Sequence, residues 1–438
     1  MKKVKNLIGI RKRVYENYIK IYVFFHFVKE IITGKFPANG RKPKNFYRFL
    51  KRLLFFLSKM KDNKYVKSGR YTKISLYVPA FPSEAFFKAC KKIIVTDKKG
   101  VKSKMPCVSV LLSVTSACRY NCEHCYQKLD YGKDVDIDAL CGVTRQLDEM
   151  GVSFFNIEGG EPFLVFERLK KLCESIKVGE IWVNSTGDGV TSERLNTLKE
   201  LGVKGLMFSL HSAAPEKINS FMQSDKAWDN LKNGIELCRE AGLEVATNTC
   251  ILKDDFYNGQ FEAILDLAKD LGVSIIQLIK PKPSGGWLGA EMDNFTKEDL
   301  DYIEKVVFKY NNHREYKDYP FIAAQIVDEK SDLFGCTAGG TDRFYINAKG
   351  DVQPCEFLNI SYGNITKEDF KDIYIRMRNS FNEPGDLWLC EVCTNKIKET
   401  VVENNIKILP LNKELSLNVI NNWQRGNVPD FYKKVVEL

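Results

Sequence analysis

Three cysteines, Cys118, Cys122 and Cys125, fall within eight residues of one another in a chain of 438. Thiolates are soft ligands for iron and zinc. Three at this spacing can wrap three irons of a cubane and leave the fourth iron without a protein ligand, whereas four-cysteine ferredoxin runs cap every iron. An open coordination position is where a cofactor or substrate binds, as in catalytic metal sites generally. A zinc ion is the competing reading, because cysteine-rich loops also hold zinc. A further four cysteines, Cys336, Cys355, Cys390 and Cys393, lie near the C-terminus, and four thiolates suit either a cubane or a zinc ion.

The triad must be positioned by the elements around it. It directly follows an apolar run at 108–114, in the loop where a βα-built barrel sets its chemistry. Strand-like runs recur at 152–157, 180–184, 204–210, 243–249 and 274–279, with helical patterns at 136–150, 193–201, 227–241 and 261–271 between them. Leu-Gly-Val at 201–203 and 271–273, and Ala-Gly-Leu at 241–243, put glycine just past a helix end. Six such units predict an α/β fold, a parallel sheet curled into a partial (β/α)6 barrel of TIM type. The alternation ends at the turn 280–286. A helix over 297–310 follows, and two short strands are expected within 334–395.

Three motifs carry a resemblance. The Cys-x3-Cys-x2-Cys triad with the aromatic His124 before its last cysteine, Gly159-Gly160-Glu161-Pro162 after the second strand, and Ser185-Thr186-Gly187 after the third resemble the signature segments of the radical S-adenosylmethionine (SAM) superfamily. Thr186 stands where asparagine is usual. The resemblance spans about residues 107–395. It implies a catalytic 4Fe–4S cluster on Cys118, Cys122 and Cys125, with SAM chelated to the open iron. It implies SAM contacts from His124, Gly159, Gly160, Glu161, Pro162, Ser185, Ser209 and Asn248. It further implies reductive cleavage of SAM to methionine and a 5′-deoxyadenosyl radical, hydrogen abstraction from a substrate, and a low-potential electron donor of flavodoxin or ferredoxin type.

Cys336, Gly350, Asp351 to Cys355 and Tyr362-Gly363-Asn364-Ile365 resemble the opening of the SPASM/twitch auxiliary-cluster module. No cysteine follows Cys390-x2-Cys393, which favours the shorter twitch type, with one auxiliary 4Fe–4S cluster on Cys336, Cys355, Cys390 and Cys393. A cluster capped at every iron implies an electron acceptor or relay, suited to oxidising a substrate. The expected domains are a basic helical extension over 1–100, the radical SAM barrel over 101–295, a helical linker over 296–330, a twitch-like domain over 331–395 and a tail over 396–438. The implied activity is that of an oxidoreductase-type enzyme modifying a peptide or protein. A lipid or small-molecule substrate comes second, and a non-catalytic iron–sulfur or zinc protein for electron transfer or scaffolding third.

Bulk properties set the surroundings. Hydrophobic residues at 44% and charged residues at 28% fit a soluble globular protein. Thirteen cysteines without a recognisable secretory signal point to a reducing, cytoplasmic setting, in which Cys90, Cys107, Cys141, Cys173, Cys238 and Cys250 read as buried free thiols. Charge is uneven: the first 70 residues hold 20 Lys/Arg against Glu16, Glu30 and Asp62, so the net +10 of the chain leaves the remainder acidic. Phe49, Leu53, Leu57 and Met60 recur at helical spacing opposite Arg48, Lys51 and Lys59, and 15–32 forms a second, less clean amphipathic segment. Such helices suit a membrane surface, at the inner face if the protein is peripheral there, better than a nucleic acid; packing against the barrel is the alternative.

Overall fold

The computed structural model describes residues 4–34, 46–94, 108–292, 295–382 and 384–438. Cys107 and most of the turn at 34–40 lie outside them. A three-stranded antiparallel sheet near the N-terminus joins β1 (Val4–Leu7), β2 (Tyr65–Ser68) and β3 (Tyr71–Lys73). Between β1 and β2 run the helices α1 (Gly9–Ile32) and α2 (Phe46–Lys59), and α3 (Glu84–Ile94) follows β3.

The main sheet is built from β4 (Ser109–Ser113), β5 (Phe154–Glu158), β6 (Glu180–Ser185), β7 (Val203–Ser209), β8 (Glu244–Cys250) and β9 (Ile275–Ile279), all parallel neighbours in chain order. The helices α4 (Ile137–Glu149), α5 (Phe166–Glu174), α6 (Ser192–Glu200), α7 (Pro215–Met222), α8 (Ala227–Glu240) and α9 (Gln260–Asp270) cross between them. Parallel strands need such crossovers, and the helices bury the outward-facing Val110, Phe155, Ile157, Val183, Leu206 and Ile276. The sheet is wider than six strands. β10 (Phe321–Ala324) pairs in parallel with β9, so the expected linker contributes a strand as well as a helix (Lys297–Asn312). At the other edge β11 (Arg343–Ile346) pairs in parallel with β4 and antiparallel with β12 (Val352–Gln353). The edge strand of the barrel thus carries the first strand of the second cysteine region.

Side chains facing the interior alternate with those facing the helices, and they divide by height. At the N-terminal ends of the strands Phe154, Trp182, Met207, Ala246, Ile275 and Phe321 form one apolar layer, plugged from below by Val66, Leu76 and Tyr77. Lys73 in this plug donates to Glu180 at 2.6 Å, and Glu180 also accepts from the Ala80 backbone N–H and from the Trp182 indole. One residue pair further along, the interior turns polar: Asn156, Glu158, Asn184, Ser209, Asn248 and Gln277.

The N-terminal extension has its own core. The apolar face of α2, with Phe49, Leu53, Phe56 and Leu57, and Met60 just past its end, is buried against Ile19, Val23 and Phe27 of α1 and Phe86 and Phe87 of α3. The apolar stripe expected to face a membrane from this helix is therefore interior. Phe431 and Val435 of the C-terminal helix Asp430–Glu437 complete the same cluster, which gives the tail a packing role.

Candidate functional site

Cys118, Cys122 and Cys125 occupy the loop after β4. Its start is pinned by Asp134, which accepts from the Thr115 hydroxyl at 2.6 Å and the Ser116 N–H at 2.9 Å. Across it lies the Gly159-Gly160-Glu161-Pro162 segment: the Gly160 N–H donates to the Thr115 carbonyl and the Glu161 N–H to the Ala117 carbonyl, both at 2.8 Å. A Cβ on Gly160 would sit 2.1 Å from the Ala117 carbonyl oxygen, and one on Gly159, whose φ is +155°, 2.5 Å from that of Thr115. The glycines are thus required because two backbones touch. From the other side Gly285 and Gly286 close on the loop, with the Gly286 N–H donating to the Cys125 carbonyl at 3.0 Å.

The three thiols lie on one loop. Partial loss of water pushes Cys118 up to about 11 and Cys122 up to about 12, and each is raised further by neighbouring thiolates, as Cys122 is by both Cys125 and Cys118. Cys125 is raised as well, first by burial. Three mutually repelling thiolates are stable only beside positive charge, which an iron cluster supplies as it displaces their protons. Among the described residues no three Cys, His, Asp or Glu side chains are placed to hold a single metal ion.

Glu161 explains how the second and third motifs stay together. Its fully buried carboxylate accepts from the Phe163 N–H at 3.0 Å, the Ser185 hydroxyl at 3.0 Å, the Thr186 N–H at 2.7 Å and the Thr186 hydroxyl at 2.6 Å. Burial pushes Glu161 up to about 7, against the pull of these donors. With both oxygens engaged it ties the loop after β5 to the loop after β6, and neither Glu161 nor Pro162 is among the residues lining the cavity at the C-terminal end of the barrel. Ser185 lines the cavity, but its hydroxyl is committed to Glu161 and to the Gly187 N–H.

His124, Gly159, Gly160, Ser185, Ser209 and Asn248 all border one cavity at the C-terminal end of the barrel. Ser209 and Asn248 are cross-strand partners. His124 stacks on Phe221 at 4.5 Å and meets His211 at 4.7 Å and Trp287 at 5.8 Å. Burial lowers His124 to about 4, so this aromatic wall is uncharged at neutral pH.

Sequence reasoning missed Asn156, Glu158, Asn184 and Gln277, which line the same cavity. Their signal was polar residues at the alternate, interior-facing steps of an otherwise apolar run, as in Phe-Phe-Asn-Ile-Glu. The amide oxygens of Asn156, Asn184 and Asn248 are buried without a hydrogen-bond partner, so the cavity is built to receive polar groups. Cys250 also borders it, whereas Cys90, Cys141, Cys173 and Cys238 are buried thiols.

Glu158 accepts from the Tyr126 phenol at 2.7 Å and from the Asn184 amide at 3.0 Å. Burial first, and the nearby Glu356 carboxylate second, push it from 4.5 up to about 8. Between these values the folded protein holds a proton that the unfolded chain releases. Its contribution to stability is therefore full below about pH 4.5 and is lost as the pH rises to about 8. Glu158→Gln copies the protonated form, so thermal unfolding of the two proteins as a function of pH is expected to diverge by a few kcal/mol across this window.

The second cysteine group is held against the first. Tyr345 on β11 accepts from Gln127 at 2.6 Å, and Asn347 donates to Asp130 at 3.0 Å. Cys336 and Cys355 are buried, and Cys390 and Cys393 lie on and beside the short helix Leu389–Val392. Burial pushes Cys390 and Cys393 up to about 12, with Cys336 raising both further, and Cys355 is raised well above its ordinary value with Cys390 contributing. Lys280 and Lys282 reach from the barrel turn to Glu391 at 2.9 and 3.4 Å, and Arg343 lies 3.9 Å from the Cys355 sulfur.

Comparison with known proteins agrees with this geometry. Residues 112–268 match the family model described as the radical SAM superfamily, and residues 336–401 match that of an iron–sulfur cluster-binding domain, SPASM. An AdoMet-dependent heme synthase of Oleidesulfovibrio alaskensis is 23% identical over 61% of this chain and 74% of its own. A probable GTP 3′,8-cyclase of Pyrobaculum aerophilum is 25% identical over 57% and 83%. In structure the chain resembles SuiB of Streptococcus suis bound to S-adenosylmethionine, with a TM-score of 0.54 and 14% identity over 71% of this chain and 77% of that one. SuiB bound to its precursor peptide SuiA gives 0.50 and 15% over 62% and 65%. The two family-model matches, one over the barrel and one over the C-terminal cysteine region, place this chain among the enzymes of the radical SAM superfamily with a SPASM-type auxiliary iron–sulfur domain.

Proposed function

We propose that the chain oxidatively modifies a peptide or protein, with Cys118, Cys122 and Cys125 ligating the catalytic 4Fe–4S cluster and Cys336, Cys355, Cys390 and Cys393 the auxiliary one. When bound, cluster and SAM together supply reductive SAM cleavage and the 5′-deoxyadenosyl radical that takes a hydrogen atom from the substrate. The observation that carries the reading is the cavity in which His124 and Tyr126 of the cysteine loop, with Gly159 and Gly160, face unpartnered amide oxygens from β5, β6 and β8.

The chain's own residues bind, orient and exclude water. Gly159 and Gly160 let their segment close onto the cysteine loop at the cavity wall, and Glu161 fixes the loop that carries them. Ser209 and Asn248 offer polar contacts to its carboxylate and ribose, and the wall of His124, Phe221 and Trp287 keeps water from the cluster loop. Asn156, Asn184 and Gln277 orient a polar substrate, and peptide amides match such groups. SuiB with its precursor peptide supports a peptide over a small molecule. The heme synthase and cyclase similarities keep a small molecule as the second reading. A flavodoxin- or ferredoxin-type donor supplies the electron. Peripheral attachment to the inner face of a membrane belongs to this proposal too; among the described residues no helix is long and apolar enough to cross a bilayer.

The test is anaerobic reconstitution with SAM, reductant and deuterated candidate peptides. Deuterium in the released 5′-deoxyadenosine supports the reading, and transfer only from non-peptide substrates refutes it. Cys390→Ala is expected to retain SAM cleavage within about tenfold while substrate conversion falls by more than about a hundredfold, as measured by chromatography of both products.

A further inference from the structure

The outer side of α1 has no function in the chemistry above. Its inner side is accounted for: Ile19, Val23 and Phe27 are buried in the N-terminal core. On the opposite side Ile10, Val14, Ile21, Phe25 and Ile32 are between 57% and 81% exposed. At 100° per residue these five fall within an arc of about 60°, along a helix about 36 Å long. The helix is thus apolar on two opposed faces, and among the described residues only one of them is covered.

The surrounding charge says what covers the other. Arg11, Arg13 and Lys29 are exposed on the same helix. Its two acids are already engaged, Glu16 with Lys20 and Glu30 with Lys91, both at 2.6 Å. A second copy would press together two surfaces from a segment holding 20 Lys/Arg and three acids, which like-charge repulsion opposes. An anionic bilayer surface reverses that sign. It receives an apolar ridge into its headgroup region and lets flanking arginine and lysine meet lipid phosphates. From this we infer that α1 lies in the plane of an anionic lipid surface through Ile10, Val14, Ile21, Phe25 and Ile32, so that the enzyme works at a membrane face. The surface is α1, not the basic face of α2, whose apolar side is interior.

The test is flotation of the full chain with vesicles of equal parts phosphatidylcholine and phosphatidylglycerol, against vesicles of phosphatidylcholine alone. The protein is expected to float with the anionic vesicles, less so at high salt. The I21E/F25E double variant is expected to lose at least about tenfold in partition. Both positions are exposed, so its thermal unfolding and 5′-deoxyadenosine release are expected to match the parent. Equal partition of parent and variant, or equal binding to both vesicle types, would overturn the inference. So would light scattering showing a parent dimer that the variant lacks, since the ridge is then a contact between copies. Flotation needs neither cluster nor SAM, so failure here leaves the catalytic proposal standing.

Discussion

Cys118→Ala is expected to lower 5′-deoxyadenosine formation by more than about a hundredfold, because loss of a ligand costs more than the 10- to 100-fold typical of supporting groups around a metal. Anaerobically reconstituted protein, excess reductant and SAM, with product followed by chromatography, make the measurement. The side chain sits on the exposed rim of its loop, so the protein is expected to unfold at an unchanged temperature. That separates loss of a ligand from loss of fold. Cys173→Ala, in the helix layer far from the loop, is expected to cleave SAM normally. Cleavage by Cys118→Ala at the parent rate would remove Cys118 from the ligand set.

The second large effect falls on Glu161. Glu161→Ala strands four donors that the carboxylate now accepts, two of them backbone N–H groups buried where water does not reach. At about 1–3 kcal/mol for each unsatisfied buried group, partly relieved because the Ser185 and Thr186 hydroxyls can turn, the loss is about 3–5 kcal/mol. For a chain of this size thermal unfolding is expected to fall by roughly 3–5 °C. Glu161→Gln keeps one acceptor oxygen and should lose less than half as much. Function should follow stability here, because Gly159 and Gly160 press on the cysteine loop only while Glu161 holds their segment. A Glu161→Ala protein as stable as the parent that fails to bind SAM would instead make Glu161 a direct SAM contact.

Much of this was legible before the structure. The six barrel strands lie within two residues of their predicted positions, because parallel strands buried on both sides read as apolar runs and glycine marks the helix ends between them. The thiol triad and the paired glycines were legible because cluster chemistry and backbone contact each restrict residue type. The protein-side role of Glu161 was not legible, because a motif reports that a residue is required without reporting which neighbours it holds. The interior amides were missed because Asn156 or Gln277 alone, in an apolar strand, does not show which way the strand faces. β10 and β11 were not placed in the barrel sheet, since pairing across hundreds of residues leaves no local pattern. The α2 stripe was read correctly as a stripe, but periodicity cannot say whether protein or lipid covers it.

The account rests on one iron left open to SAM beside Cys118, Cys122 and Cys125. Electron paramagnetic resonance of the reduced, anaerobically reconstituted protein with Cys336, Cys355, Cys390 and Cys393 replaced by alanine isolates that cluster. A 4Fe–4S signal whose g values shift on adding SAM is predicted. Zinc in place of iron in the loop, or a cubane signal indifferent to SAM, would contradict it.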